Sequence, residues 1–267
     1  MPSIATSDGA EINYVERGAG APLVLIGGWC MTTAFWYRQL EGLCDEYRVV
    51  AIDPRAYGDS SKVTHGHRMA RHAADLRDVL RALDLDGAVA IGWSLGANVL
   101  FSHWELFAGE RLRGLVHCDQ SPYCLNRAGW EWGFGTEEQA LGLLRGARED
   151  PDGTASMLID MCFTGPVPED EKRWMVAELA KTPTEAAVTL EFDHIWSDWR
   201  DVVPTVQLPT LVVTGRQSKI FPWESGDWMA QRLPNGTHAM FEDSGHCPFL
   251  EEPERFNRTV REFIASL

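Results

Sequence analysis

Residues 88–100, AVAIGWSLGANVL, decide the fold. The run AVAI is continuously apolar, which suits a strand buried on both faces. It leads into Gly92-Trp93-Ser94-Leu95-Gly96, a match to G-x-S-x-G, and then into LGANVLFSHWELFAGE (95–110), which has helical spacing. A strand, a sharp turn and a helix form the setting in which this pattern exposes a nucleophilic serine. The glycines permit the turn that lifts the hydroxyl out of the sheet. The helix N-terminus stabilises negative charge developing beside it. The plainer alternative is a tight structural turn.

Working outward, strands alternate with helices. EINYVERGAG (11–20) reads as a strand with alternating faces, closed by a glycine turn. APLVLIGG (21–28) and YRVVAIDPRAYGDS (47–60) contain buried strands, with helical spacing in MTTAFWYRQLEGLCDE (31–46) between them. HRMARHAADLRDVLRALDLDG (67–87) is amphipathic, with apolar residues at 76, 79, 80 and 83, and is expected to end at Gly87. LRGLVHCD (112–119) is the strand after the elbow. From about 122 to 200 only helical patterns appear. Strands resume at LPTLVVTG (208–215) and GTHAMFED (236–243), and EPERFNRTVREFIASL (252–267) reads as a closing helix. Such alternation predicts an α/β protein with a mostly parallel sheet and helices on both faces. Ligands then bind beyond the carboxyl ends of the strands.

Composition excludes several classes. The chain has 267 residues with 45% hydrophobic and 24% charged, an ordinary globular balance. A net charge of −15, with no basic run, argues against nucleic acid and anionic membrane as partners. No apolar run approaches the roughly 20 residues of a membrane helix. The start, MPSIATSDGAEINY, lacks the pattern of a signal peptide, so a cytoplasmic location is expected. The six cysteines show no CxxC pairing, and Gly27-Gly28-Trp29 is not a dinucleotide loop. No metal and no organic cofactor is implied. Oligomeric state is not readable.

The chain resembles the α/β-hydrolase superfamily along almost its whole length. VAIGWSLGANVL (89–100) is similar to the elbows of small bacterial esterases in that superfamily, and DSGHCPFLEEPERFNRTVREFI (243–264) matches its histidine loop and last helix. The resemblance implies an α/β-hydrolase core from residues 1–121 and 201–267, with a helical cap inserted at 122–200. It makes Ser94 the nucleophile and His246 its base. LVLIGGWCM (23–31) aligns with the strand-to-loop segment that usually reads His-Gly; Gly27 replaces the histidine and Gly28 keeps the glycine. Trp29 and Leu95 would then supply the two backbone N–H groups of an oxyanion hole. DPRAYGDS (53–60) resembles the superfamily's D-x-R-G-x-G-x-S turn, with Ala56 in place of a glycine, and is read as structural.

The third member of the triad departs from the pattern. The turn that usually carries the acid reads Gly215-Arg216-Gln217-Ser218. Ser218 cannot hold an imidazolium by charge, yet an acid is needed to fix the histidine tautomer. Asp119, at the end of the strand after the elbow strand, is the replacement, as in those superfamily members that keep their acid there. Its alternative role is an Asx turn. Glu224, Asp227 and Asp243 match no acid position.

Aromatics crowd the inserted segment and neighbouring loops. Trp36, Trp93, Trp130, Trp132, Phe163 and Trp196 are candidate substrate contacts, although each taken alone fits core packing as well. Together they suggest a small apolar or aromatic substrate. The leading reading is a serine hydrolase acting on an ester, thioester or lactone through an acyl-enzyme. A cofactor-independent dioxygenase of an N-heteroaromatic ring, or a lyase, would use the His246/Asp119 pair as base on the same fold. A binding protein that retains the triad is the non-enzymatic alternative.

Overall fold

A computed structural model of the chain describes residues 2–267. Eight strands form one sheet: β1 (Ser3–Ala5), β2 (Glu11–Arg17), β3 (Ala21–Ile26), β4 (Tyr47–Ile52), β5 (Ala88–Trp93), β6 (Leu112–Cys118), β7 (Thr210–Gly215) and β8 (Gly236–Phe241). Their spatial order is β1-β2-β4-β3-β5-β6-β7-β8. The pairs from β4 through β8 are parallel, while β1 and β2 join antiparallel at one edge. This is the α/β-hydrolase fold. Seven of these strands are anticipated by hydrophobic runs. β1 is not, because three residues are too few to show a period.

Ten helices complete the fold: α1 (Tyr37–Gly42), α2 (Met69–Ala82), α3 (Leu95–Phe107), α4 (Glu137–Glu149), α5 (Pro151–Cys162), α6 (Glu169–Leu179), α7 (Thr184–Trp196), α8 (Glu224–Arg232), α9 (Pro248–Glu251) and α10 (Pro253–Ala265). Helices α4–α7 lie between β6 and β7 in the chain. Two details differ from the sequence reading. The segment 31–46 forms a 3-10 turn over Thr33–Trp36 and then the short α1. Helix α2 stops at Ala82 rather than running to Gly87, because Asp84 already takes the left-handed conformation at φ 49°.

Side chains alternate across the sheet, as period two requires. Leu23, Leu25, Val49, Ala51, Val89 and Ile91 join one buried cluster with residues of α1, α9 and α10. Val24, Ile26, Val50, Ile52, Ala88 and Ala90 join the other, with α2, α3 and α8. Both faces are covered, which is why the central strands read as unbroken apolar runs.

Strand order positions the site. β3 pairs with β4 on one side and β5 on the other, so the direction of winding reverses between β3 and β5. Ile26 is level with Gly92, Trp93 with Cys118, and Cys118 with Val213. The loops carrying Gly28, Ser94, Asp119 and Ser218 therefore emerge in one row at the carboxyl end of the sheet.

Candidate active site

Ser94 stands between β5 and α3 with φ 54° and ψ −130°. For a residue with a Cβ this backbone costs ~1–3 kcal/mol and persists only where the surroundings enforce it. They do so here. Ser94 N–H donates to Cys118 O at 3.0 Å, and Ser94 O accepts from Ala97 N at 2.8 Å. The two glycines of the motif serve space rather than dihedral freedom. A Cβ at Gly92 would stand 2.4 Å from Gly96 O, and one at Gly96 would stand 2.4 Å from Ile26 O. Helix α3 thus packs directly on the ends of β3 and β5, and the unfavourable turn falls on the serine itself.

The loop after β3 touches this turn. A Cβ at Gly28 would lie 3.0 Å from Ser94 Cβ and 3.4 Å from its Oγ, so only glycine leaves the hydroxyl clear. The loop turns through Cys30 at φ 59°, with Met31 N–H donating to Gly28 O at 3.1 Å. Trp29 anchors the loop to α7: its Nε1–H donates to Ala187 O at 2.9 Å. Leu95 begins α3 directly after the serine and is buried. Gly27, standing where related sequences carry histidine, lies against Met31, where a Cβ would meet its carbonyl at 2.8 Å.

The histidine and the acid meet. His246 Nδ1–H donates to Asp119 Oδ2 at 2.6 Å, and both side chains are almost wholly buried. Asp119 ends β6 with φ 44°, its own N–H bound to Val213 O at 2.8 Å. Its carboxylate also accepts from Gly215 N–H at 2.8 Å and from Ser218 Oγ–H at 2.7 Å. Ser218, in the place usual for an acid, points its hydroxyl at the acid that replaces it. A polar group at that turn was foreseeable; its aim was not. Burial works to lower the His246 pKa, but the hydrogen bond and charge of Asp119 together with Cys162 and Glu251 outweigh it and hold the pKa above its ordinary value.

The histidine loop is braced on both sides. Trp93 Nε1–H donates to His246 O at 2.8 Å, and His246 N–H donates to Cys162 O at 3.0 Å. Glu251 accepts from Gly245 N–H at 2.7 Å and from Thr164 N–H at 2.8 Å, tying this loop to the segment after α5. Glu251 carried no motif and was missed in the sequence. The carboxylates of Glu224, Asp227 and Asp243 make no contact with His246.

Ser94 and His246 line a cavity of about 340 Å³. Its other walls are Gly28, Trp29, Met31 and Trp93 from the core, Ile220 and Phe221 after β7, and Phe134, Leu143, Met157, Leu158 and Met161 from the inserted region. Unbranched methionines adapt to ligands of varied shape. Of the aromatic residues expected to contact substrate, only Trp93 lines this cavity among the described residues. Trp36 is fully buried against Phe249, ring centres 4.5 Å apart. Trp130 is buried between Trp132 and Trp228, each at 5.0 Å. Phe163 packs on the core cluster, and Trp196 stacks on Phe192 at 4.4 Å. An inserted helical layer must bury its own apolar faces, and these rings do that. His194 and Glu191, which carry no motif, also line the cavity.

No group of histidine, cysteine and carboxylate side chains among the described residues is arranged to hold a metal ion. All six cysteines are free thiols.

A parallel sheet with a strained serine at its switch point and a carboxylate–histidine pair beside it defines a hydrolase-type α/β enzyme. The chain belongs to the alpha/beta hydrolase family, whose sequence profile matches residues 23–259. It is 30% identical over 255 residues to the pimeloyl-[acyl-carrier protein] methyl ester esterase of Nitrosomonas europaea, covering 92% of this chain and 97% of the relative. It is 27% identical to a non-heme chloroperoxidase of Kitasatospora aureofaciens, covering 99% of each. An esterase from Exiguobacterium antarcticum superposes with a TM-score of 0.94 at 23% identity, over 98% of both chains. No helix among the described residues is long and apolar enough to cross a membrane.

Proposed function

We propose that this protein is a serine hydrolase that cleaves an ester, thioester or lactone of a small apolar substrate through an acyl-enzyme. The observation that carries the reading is the 2.6 Å bond from His246 to a carboxylate fixed by two further donors, in the same apolar cavity as Ser94. With Nδ1–H held by Asp119, the neutral imidazole presents Nε2 as a base. Ser94 Oγ attacks the acyl carbon as His246 takes its proton. The Trp29 and Leu95 backbone N–H groups receive the developing oxyanion, each worth ~3 kcal/mol in comparable sites. The imidazolium returns the proton to the leaving oxygen or sulfur. Water then repeats the sequence, releasing the acid and restoring Ser94. The inserted helices act as a cap that excludes bulk water and shapes the acyl pocket. Relatives that carry esterase in their names support ester substrates, and a methyl ester of a medium-length acyl chain suits the cavity's size.

The test is hydrolysis of a panel of methyl and aryl esters, with labelling by a fluorophosphonate. The wild type is expected to be labelled at Ser94 and to turn over at least part of the panel, with Ser94→Ala losing ~10³-fold or more. Unchanged ester turnover in Ser94→Ala would sink the reading. Turnover that stops without oxygen would instead favour the oxygenase use of the His246/Asp119 pair.

A further inference from the structure

The cavity that holds Ser94 has a second charged station, opposite in origin to the first. Glu191 and His194 both project from α7, one turn apart, and both line the cavity. Glu191 is the one carboxylate among its described lining residues. His194 Nδ1 lies 3.3 Å from Glu191 Oε2. Its Nε2 lies 3.3 Å from Asn98 Nδ2 and 3.6 Å from Cys124 Sγ. Asn98 in turn donates Nδ2–H to Ser121 O at 3.2 Å. The protonated imidazole gives Nδ1–H to Glu191 and Nε2–H to Cys124 Sγ, with the Asn98 amide as a packing neighbour. Glu191 Oε1 has no donor among the described residues, although the residue is only 7% exposed.

Oε1 opens to the cavity, and a carboxylate oxygen that a bound substrate cuts off from water is costly unless that substrate supplies a donor. Pairing with His194 makes the station close to neutral as a whole. A cationic ligand would therefore bring an uncompensated charge, and an anionic one would face Glu191 directly. A neutral donor fits. Because Glu191 and Ser94 line the same cavity, one ligand can reach both, with the donor on the acyl part or the alcohol part of the substrate.

We infer that Glu191 is a specificity-determining residue, whose Oε1 accepts a hydrogen bond from a hydroxyl carried by the otherwise apolar substrate. The inference rests on the cavity being the ester-binding site proposed above. A site with a buried acceptor strongly rejects the analogue that lacks the donor, because the acceptor is then left unpaired. His194 acts as a positioning residue that holds the Glu191 carboxylate through Oε2.

The test uses Ser94→Ala protein titrated calorimetrically with two series of methyl esters, of four to ten carbons. One series bears a terminal hydroxyl and the other the matching methyl ether. At one chain length the hydroxy ester is expected to bind ~10-fold or more tightly than its ether, the scale of a hydrogen bond to a charged group. Adding Glu191→Leu should bring the two within about 2-fold by weakening the hydroxy ester alone. Glu191→Gln, which keeps the shape and an acceptor, should retain an intermediate preference. Melting curves for each variant confirm that the fold is kept. Equal binding of both series at every length, or a hydroxyl preference that survives Glu191→Leu, overturns the inference. Hydrolysis of the same esters by the chain with Ser94 intact is measured separately. Loss of the hydroxyl preference with hydrolysis retained breaks this inference alone, and a preference without hydrolysis breaks the proposed reaction alone.

Discussion

Two histidine–carboxylate pairs meet at one cavity, the first reaching it through His246 and the second through both members, and they are built differently. Asp119 and His246 come from loops 127 residues apart, and a third loop supplies Ser218 and Gly215 to the same carboxylate. All three contacts to Asp119 fall between 2.6 and 2.8 Å. Glu191 and His194 are neighbours on one helix, their contact is 3.3 Å, and one carboxylate oxygen is left over. The first pair is closed around the carboxylate, both oxygens of which are bonded, while His246 Nε2 stays free of partners among the described residues, which suits a base that must hold one tautomer through a reaction. The second is an open one, which suits recognition. Closed buried networks resist relaxation when a member is removed, whereas open ones have room to accept a new partner.

That contrast predicts unequal losses. Asp119→Asn should lower kcat by ~10³- to 10⁴-fold by releasing the His246 tautomer. Glu191→Gln should cost far less with an ester that lacks a hydroxyl. Comparable losses in kcat would erase the distinction between the pairs. The pH profile sharpens it. His246 must be neutral to act as base, and Asp119 is the chief of the groups, with Cys162 and Glu251, that hold its pKa above 6.5 against burial. Activity of the wild type should therefore fall as pH drops through a value above 6.5. In Asp119→Asn burial acts with little opposition, so the acid limb of the residual activity should move below it.

Ser218 offers a smaller test. Ser218→Ala removes one of three donors to Asp119 and should lower kcat about 3- to 10-fold with KM little changed. Ser218→Thr, which keeps the hydroxyl, should restore most of the rate. Within Asp119→Asn, adding Ser218→Asp returns a carboxylate to the usual turn and should recover part of the lost kcat. Failure of both rescues would reduce Ser218 to a packing residue.

The second pair should be visible in stability. Burial lowers the His194 pKa, but Cys124 and Glu191 together overcome it and push it up to about 10. Glu191 also faces the buried Cys30 and Tyr57, whose pKa values it helps to raise. A histidine whose folded pKa exceeds its unfolded value binds an extra proton when folded. The resulting stabilisation is complete below about pH 6.5 and is lost as pH rises towards about 10. The melting temperature should therefore fall between pH 7 and pH 10, and fall less in Glu191→Gln. Equal slopes would place the stabilisation elsewhere. The smallest effect concerns neither pair. Ala56 is buried at φ 67°, where related sequences carry glycine. Ala56→Gly should change stability by no more than about 1 kcal/mol, since relief of the left-handed strain is partly offset by unfolded-state entropy.

Local chemistry wrote much of this protein into its sequence. The apolar runs fixed which segments become central strands. The glycine spacing around Ser94 fixed where a helix could press against the sheet, and the motif around His246 fixed the partner loop. The carboxylate that meets His246 was also legible, because the absence of an aspartate at position 218 left Asp119 as the strand-end carboxylate of matching pattern. The tertiary structure alone decided what depends on packing in three dimensions. Trp36 and Trp130 fill the protein's own interior, and Trp132, Phe163 and Trp196 sit half-buried against other side chains rather than in the cavity, because a ring's composition says nothing of which neighbour will cover it. Ser218 and Glu251 gained their contacts only when distant loops met, and Glu191 stands out only because folding set it in the cavity wall with one oxygen unpaired. Strands and turns follow from residues a few positions apart, whereas the lining of a cavity follows from contacts across the whole chain.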